Sequence, residues 1–256
     1  MLDLERIAKL LTTRELGRSI SYYPFTESTN DDLWELLDQG LAEQGHVVVT
    51  DDQRYGRGRK GRRWYSTPGK SVPFSILLLP EIGVTKLGLI SLAAGVALAD
   101  GLRSFGIPAG LKWPNDVLVS RRKLGGILIE SRLADEGPIV VAGVGVNVNE
   151  SREDFPKKLR PAVTSALIEK GEALERELVL ARVLDRLEEI LAGDLAAVPQ
   201  LWLERCEHLG HKMGFYDDGE QLQGKFTGID DQGHGLVQRG KRTYVVTAGD
   251  LEWPEA

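Results

Sequence analysis

Gln53-Arg54-Tyr55-Gly56-Arg57-Gly58-Arg59-Lys60-Gly61-Arg62-Arg63-Trp64 is the stretch on which the fold turns. As a string, Gly56-x-Gly58-x-x-Gly61 matches the dinucleotide fingerprint and would imply a doubly wound parallel sheet. That fingerprint opens a helix whose N–H groups meet a pyrophosphate, and cationic side chains are not its device. Here Arg62-Arg63-Trp64-Tyr65-Ser66 follows without amphipathic spacing, and no acid about 20 residues on is placed to read a ribose. A nucleic-acid arm is a second reading, but its aromatic interleaving is thin. A third is an anion cradle over a small ligand. Glycines let backbone approach, arginines meet phosphate or carboxylate bidentately, and Trp64 stacks on a flat ring. The bland alternative is a solvated, charged loop.

Composition narrows these readings. The chain has 256 residues and a net charge of −6. Six of its 32 basic residues stand in 54–63 with no acid among them, leaving 26 to face 38 acidic residues elsewhere. Positive charge is therefore concentrated locally, and a general nucleic-acid coat is disfavoured. The size suits one large domain, or one with a small companion. A single cysteine, Cys206, forms no internal disulfide and suits a reducing compartment. The most apolar run, Leu87–Ala99, reads as a core helix, short of the roughly 20 residues a bilayer needs. The charged N-terminus has no signal-type apolar region. These features predict a cytoplasmic protein with no membrane segment.

The periodicity predicts an α+β chain. Ser28-Thr29-Asn30 before Leu33, Trp34, Leu36 and Leu37 reads as a helix start with a hydroxyl cap. Strands are expected at His46–Thr50, Ser75–Leu79, Val117–Val119, Gly126–Ser131 and Ile139–Val148, the last central. Helices are expected at Leu87–Phe105, Pro161–Lys170 and Glu175–Gly193. After Cys206 come short alternating segments, 225–229, 236–239 and 243–247, separated by Gly and Asp turns. These predict a compact β-barrel packed on the main domain. The boundaries are thus 1–206 and 207–256. Residues 1–20 have room for one short amphipathic helix and none for a helix-turn-helix, so no DNA partner is expected.

Lys112-Trp113-Pro114-Asn115-Asp116, Lys123-Leu124-Gly125-Gly126 and Gly143-Val144-Gly145-Val146-Asn147 follow the basic loop. Taken with Ser28-Thr29-Asn30 and Gln53, this set, in this order over residues 20–150, closely resembles biotin protein ligase. The chain looks like a short member of that family, without the N-terminal DNA-binding domain of the repressor-type members. The resemblance implies a mixed β-sheet flanked by helices, of the class II synthetase-like type, with a small C-terminal SH3-like β-barrel. It also implies a two-step reaction. Biotin and ATP give biotinoyl-5′-AMP, and a lysine of a biotin carboxyl carrier protein then takes the biotin.

By the same resemblance, Lys123 is the first choice for catalysis, with Arg59, where carboxylate and α-phosphate meet. Ser28, Thr29, Gln53, Gly56, Arg57, Gly125, Gly126 and Gly143 fall to biotin. Arg59, Lys60, Arg62, Trp64, Lys112, Asn115, Asp116 and Asn147 fall to ATP, with Trp64 against the adenine. The chemistry asks for such a set, since bringing a carboxylate to a polyanion needs cations to offset repulsion. Mg²⁺ is expected to arrive with ATP, near Asp116, because no metal-ligand spacing is present. Members of the family often form homodimers through a sheet edge, so a homodimer is expected here.

Arg54-Tyr55 and Ser71-Val72-Pro73 depart from the family pattern at the loop entrance and the following strand. The like charges and glycines of 54–64 predict a loop that is mobile without ligand. A lipoate or octanoate ligase of related fold is the nearest alternative, and a non-catalytic biotin-binding regulator is another. The Arg-Arg-x-x-Gly-Gly-Gly loop of lipoate ligases is absent. Cys206 is expected to be a core residue at a domain junction, and His211 and His234 turn or surface residues.

Overall fold

A computed structural model describes residues 1–254. The first half begins with α1 (Leu4–Leu10), β1 (Ile20–Tyr23), α2 (Thr29–Asp38), β2 (Val47–Thr50) and β3 (Val72–Leu78). It continues through α3 (Gly88–Arg103), β4 (Gly110–Lys112), β5 (Asp116–Val119), β6 (Arg122–Ala134) and β7 (Gly137–Val146). Three helices follow, α4 (Ala166–Lys170), α5 (Arg176–Leu191) and α6 (Val198–Leu203). The chain closes with β8 (Lys212–Asp217), β9 (Glu220–Ile229), β10 (Gly235–Arg239) and β11 (Arg242–Val246).

The expected mixed sheet is present. Seven strands lie in the order β1-β2-β3-β7-β6-β5-β4. β1 and β2 run parallel and the other neighbours antiparallel. Strand alternation separates two faces. On one, Val48, Leu77 and Val141 pack against Leu33 and Trp34 of α2. On the other, Val47, Val49, Ile76 and Ala142 join the large core beneath α3 and α5. α3 is apolar on all sides because it lies between the sheet and α5. With the turn before it, Val84–Arg103 is long and apolar enough to cross a membrane by composition and length. Its buried residues instead belong to the core. Gly101 permits the close approach of α5, since a Cβ there would stand 3.0 Å from Val183 Cγ2.

Differences from the sequence reading have local causes. Val72 and Pro73 extend β3 beyond the end of its register with β2, where proline removes no β2 partner. The helix expected over Pro161–Lys170 begins only at Ala166, where Ser165 accepts from Ile168 N. Residues 162–164 lie along Lys123 instead, with Lys123 N donating to the Ala162 carbonyl (2.8 Å) and Thr164 N to the Lys123 carbonyl (2.9 Å). β1, β4, β8 and α6 were not foreseen; all are short. Ser28 occupies the N-cap of α2 as expected, yet its hydroxyl makes no cap hydrogen bond.

After Cys206 the expected β-structure is a four-stranded antiparallel sheet, β11-β10-β9-β8, with Glu252 bridging Gly214 of β8. Its inner side chains, Phe215, Phe226 and Val237, continue the main core. Trp113 Nε1 donates to the Gly233 carbonyl at 3.0 Å, tying the turn before β10 to the end of β4.

Candidate functional site

A cleft opens on the α2 face of the large sheet, near the middle strands. Its floor lacks side chains for a reason visible in the register. Gly126 pairs with Gly145 and Leu128 with Gly143, so Gly126, Gly143 and Gly145 share one face. The space above them is taken. A Cβ on Gly143 would stand 2.3 Å from Asn30 Oδ1, and one on Gly145 2.5 Å from Trp64 Cε2. Gly125 faces the other way, where a Cβ would stand 2.7 Å from Leu98 Cδ2 of α3. It packs helix on sheet and does not line the cleft, contrary to the biotin role expected for it. Gly56 also lies behind the lining, its Cβ position blocked by Gln53 Nε2 at 2.7 Å.

One end of the cleft is an amide and hydroxyl chain. Gln53 Oε1 accepts from Thr29 N (2.9 Å) and Thr29 Oγ1 (3.1 Å). Thr29 Oγ1 lies 2.7 Å from Ser75 Oγ, which donates to Asn30 Oδ1 at 2.6 Å. Asn30 and Ser75 were missed as site residues. Asn30 had a signal, since it completes the Ser-Thr-Asn run; Ser75 had none, being one hydroxyl in an apolar strand whose full burial only the fold reveals.

The other end is charged. A bulge in β6 places Val117 opposite Gly125 and Leu118 opposite Lys123, with Leu124 as the extra residue. This turns Lys123 onto the face of Gly126, whose Cβ position is 3.2 Å from Lys123 Nζ. Lys123 Nζ donates to Asp116 Oδ1 at 2.5 Å and stands 5.8 Å from the Trp64 ring centroid. Burial pulls the Lys112 ammonium below its ordinary pKa, against the pull of Asp116 and Asp250. Asn115 Nδ2 donates to the Ile127 carbonyl at 2.6 Å, holding the Pro-Asn-Asp turn on β6. Asn147, buried, donates to the Thr164 carbonyl at 2.9 Å.

The basic loop covers the cleft as a small hairpin, with Gly58 N donating to the Arg62 carbonyl and Trp64 N to the Gly56 carbonyl. Only a three-residue 3₁₀ turn, Arg59–Gly61, follows the glycines. The dinucleotide reading fails here, since it requires a helix. The charges do not merely repel, because all but Arg63 meet a carboxylate outside the loop, and Arg63 Nη2 donates to the Arg54 carbonyl at 2.9 Å. Arg57 pairs with Asp31 (2.6 Å) and Glu130 (3.1 Å), while Arg59, Lys60 and Arg62 converge on Asp250. Ser28, Arg57, Arg59 and Arg62 line the cleft; Lys60, in left-handed backbone (φ 56°), does not. Arg54 and Tyr55 lie outside it, Arg54 over the Phe25 ring at 4.1 Å.

Four buried polar atoms in this cleft have no partner among the described residues: Asn30 Nδ2, Asn147 Oδ1, Arg59 Nη1 and Trp64 Nε1. Buried polar groups are seldom left so. Their gathering at one place, at both ends of an apolar floor, marks a site built for a ligand with polar groups at its two ends. Among the described residues no cluster of three or more His, Cys, Asp or Glu is placed to hold a metal. Cys206 Sγ lies 3.2 Å from His208 Nδ1, but burial pushes the thiol up to about 12 and the imidazole down to about 3. That pair carries neither thiolate nor imidazolium at neutral pH, so it is not a nucleophile and base.

The model of the biotin/lipoate A/B protein ligase family matches residues 22–149, the span that contains the glycine floor and both polar ends. The chain belongs to this family. A bifunctional ligase/repressor of Bacillus subtilis is 32% identical over 249 residues, covering 94% of this chain and 76% of the relative. A biotin–[acetyl-CoA-carboxylase] ligase of Mycobacterium tuberculosis is 35% identical over 270 residues, covering 98% of each. The biotin protein ligase of Aquifex aeolicus, solved with biotin and ATP, superposes with a TM-score of 0.79 at 27% identity. That match covers 92% of this chain and 98% of the other.

Proposed function

We propose that this chain activates biotin with ATP to biotinoyl-5′-AMP and transfers the biotin to a lysine of a biotin carboxyl carrier protein. The observation that carries this is the pairing of unpartnered buried groups at the two ends of one glycine-floored cleft. A ureido ring donates and accepts at once, and the Gln53–Thr29–Ser75–Asn30 chain offers both functions, with Asn30 Nδ2 free to donate. The apolar chain of the acid would run toward Lys123 past Asn30 and Trp64, the side chains seated over Gly143 and Gly145. Its carboxylate then meets the cationic end, where Arg59 and Arg62 receive phosphates and Asn147 the nucleotide.

In the first step a carboxylate oxygen attacks the α-phosphorus and pyrophosphate leaves. Charge gathers on oxygens around phosphorus, and a fixed ammonium there is worth more in that state than in the ground state. Lys123, held by Asp116 and backed by the Trp64 face, is positioned to provide it. In the second step a neutral lysine amine attacks the acyl carbon, AMP leaves, and the same ammonium stabilises the departing phosphate. Trp64, seated over Gly145, shields the anhydride from water. Among the described residues no protein cage for a metal is present, and Asp116 would help to hold a Mg²⁺ that arrives with ATP. When bound it would neutralise phosphate charge.

Lipoate is disfavoured by the amide end, because a dithiolane would leave the buried Asn30 Nδ2 unpaired, a cost of about 1–3 kcal/mol. The reading divides the chain into a ligase domain, 1–206, and a small β-domain, 207–256. It places the protein in the cytoplasm with its carrier, and a homodimer joined through a sheet edge is part of the same reading. Incubation with ATP, Mg²⁺, biotin and a carrier domain tests it. Label on the carrier's one target lysine is expected, and no label with adenylate formed would leave only a biotin-activating or regulatory protein.

A further inference from the structure

Three loop cations share one carboxylate that arrives from the far end of the chain. Asp250 lines the cleft, and its side chain is 13% exposed. Its Oδ2 accepts from Arg62 Nη2 and lies 3.4 Å from Lys60 Nζ, and its Oδ1 lies 3.8 Å from Arg59 Nη1. The last distance is an ion-pair contact without a hydrogen bond, which is why Arg59 Nη1 remains without a partner. Arg57, by contrast, has two carboxylates of its own. These three loop cations are thus under-neutralised, with three positive charges for one negative.

The two partners differ in freedom. Asp250 is fixed from its C-terminal side: Leu251 is fully buried, and Glu252 exchanges both backbone hydrogen bonds with Gly214 at 2.8 and 2.9 Å. Trp253 lies under the Arg121 guanidinium at 4.1 Å. Gly249 (φ 115°) makes the turn that brings Asp250 inward. The loop has the softer backbone, with Gly58, Lys60 (φ 56°) and Gly61 (φ 69°). Burial pushes the Asp250 carboxyl up, but Arg62, Lys60 and Arg59 outweigh it and hold it below its ordinary range, so it is an anion at neutral pH.

We infer that Asp250 is a resident counter-anion. It holds the cationic loop over the cleft while no nucleotide is bound, and the phosphates of ATP displace it. This rests on the reading that the loop receives phosphates. A triphosphate offers several charged oxygens to the same three cations and meets the shortfall that one carboxylate leaves. Asp250 is a positioning residue in this scheme. It sets where the loop rests and what ATP must replace, and takes no part in bond making.

The test uses the full chain and Asp250→Asn, with Asp250→Glu as the charge-preserving control. Trypsin cleavage after Arg57 and Arg59, read by mass spectrometry without nucleotide, is expected to rise about tenfold in Asp250→Asn and to return toward native in Asp250→Glu. ATP, titrated calorimetrically, is expected to bind Asp250→Asn about three- to tenfold more tightly, since no anion has to leave. Arg62→Gln opens the same contact without touching the C-terminal segment, and it too should raise cleavage after Arg57. Unchanged cleavage in both neutral variants overturns the latch. Faster cleavage with weaker ATP binding overturns the displacement and makes Asp250 a scaffold for the nucleotide site. Failure of native and variant chains alike to bind ATP, with the loop loosened, overturns the displacement through the nucleotide reading and not through the contact.

Discussion

Glu150→Gln should abolish a pH-dependent loss of stability that the native chain suffers between weakly acidic and neutral solution. Glu150 follows the end of β7 and is fully buried. Its Oε1 accepts from Ser71 Oγ, while Oε2 has no partner. The Arg176 guanidinium reaches the Ser71 carbonyl at 3.3 Å but pairs with Asp51, so no cation compensates Glu150 directly. Burial is the dominant cause that pushes this carboxyl up to about 7 from 4.5, with nearby Asp154 adding and Ser71 opposing. The folded-state value lies above the unfolded one. Stability from the protonated group is therefore fully present below about pH 4.5 and is lost as the pH rises to about 7. A gap of this size corresponds to about 3 kcal/mol. Glutamine keeps the shape without the proton. Urea unfolding of both proteins from about pH 5 to pH 8 should show the variant gaining about 3 kcal/mol on the native chain across that range, apart from any constant offset. Parallel profiles would refute the burial argument for Glu150.

Lys123→Gln should lower the adenylation rate by about 10²–10³, with biotin affinity changed far less, because the ammonium acts mainly on developing charge; single-turnover rates and equilibrium binding separate the two. Asn30→Leu should weaken biotin binding by about tenfold or more, a loss that an acid lacking polar ring atoms would not show; calorimetry with biotin and octanoate checks this. Gly145→Ala should unseat Trp64, whose indole would lie 2.5 Å from the new Cβ. Its emission should shift to the red, while overpacking costs about 1–3 kcal/mol in stability.

What was legible in the sequence is what depends on local pattern. The continuous apolar run of β7 announced a central strand, and it lies between β3 and β6. The Gly and Asp turns after Cys206 announced small strands. The motif residues gathered as a set: Lys123, Asp116, Asn115, Lys112 and Asn147 line one end of the cleft, Thr29 and Gln53 the other. What was not legible depends on register and on distant partners. Gly125 and Gly126 are adjacent letters, yet alternation sends one to α3 and the other to the cleft floor. Only the bulge at Leu124 puts Lys123 on the side of Gly126. Ser75 is one hydroxyl in an apolar strand until α2 lays Thr29 and Asn30 upon it. The neutralisation of the loop was hidden for the same reason, since Asp250 stands 188 residues from Arg62.

Biotin-dependent exchange of labelled pyrophosphate into ATP, with lipoate and octanoate in parallel, tests the central claim most directly. The cleft predicts exchange with biotin, little with the other two acids, and its collapse in Lys123→Gln. Exchange with lipoate and not biotin would contradict the assignment of the amide end, and no exchange with any acid would contradict the adenylation chemistry itself.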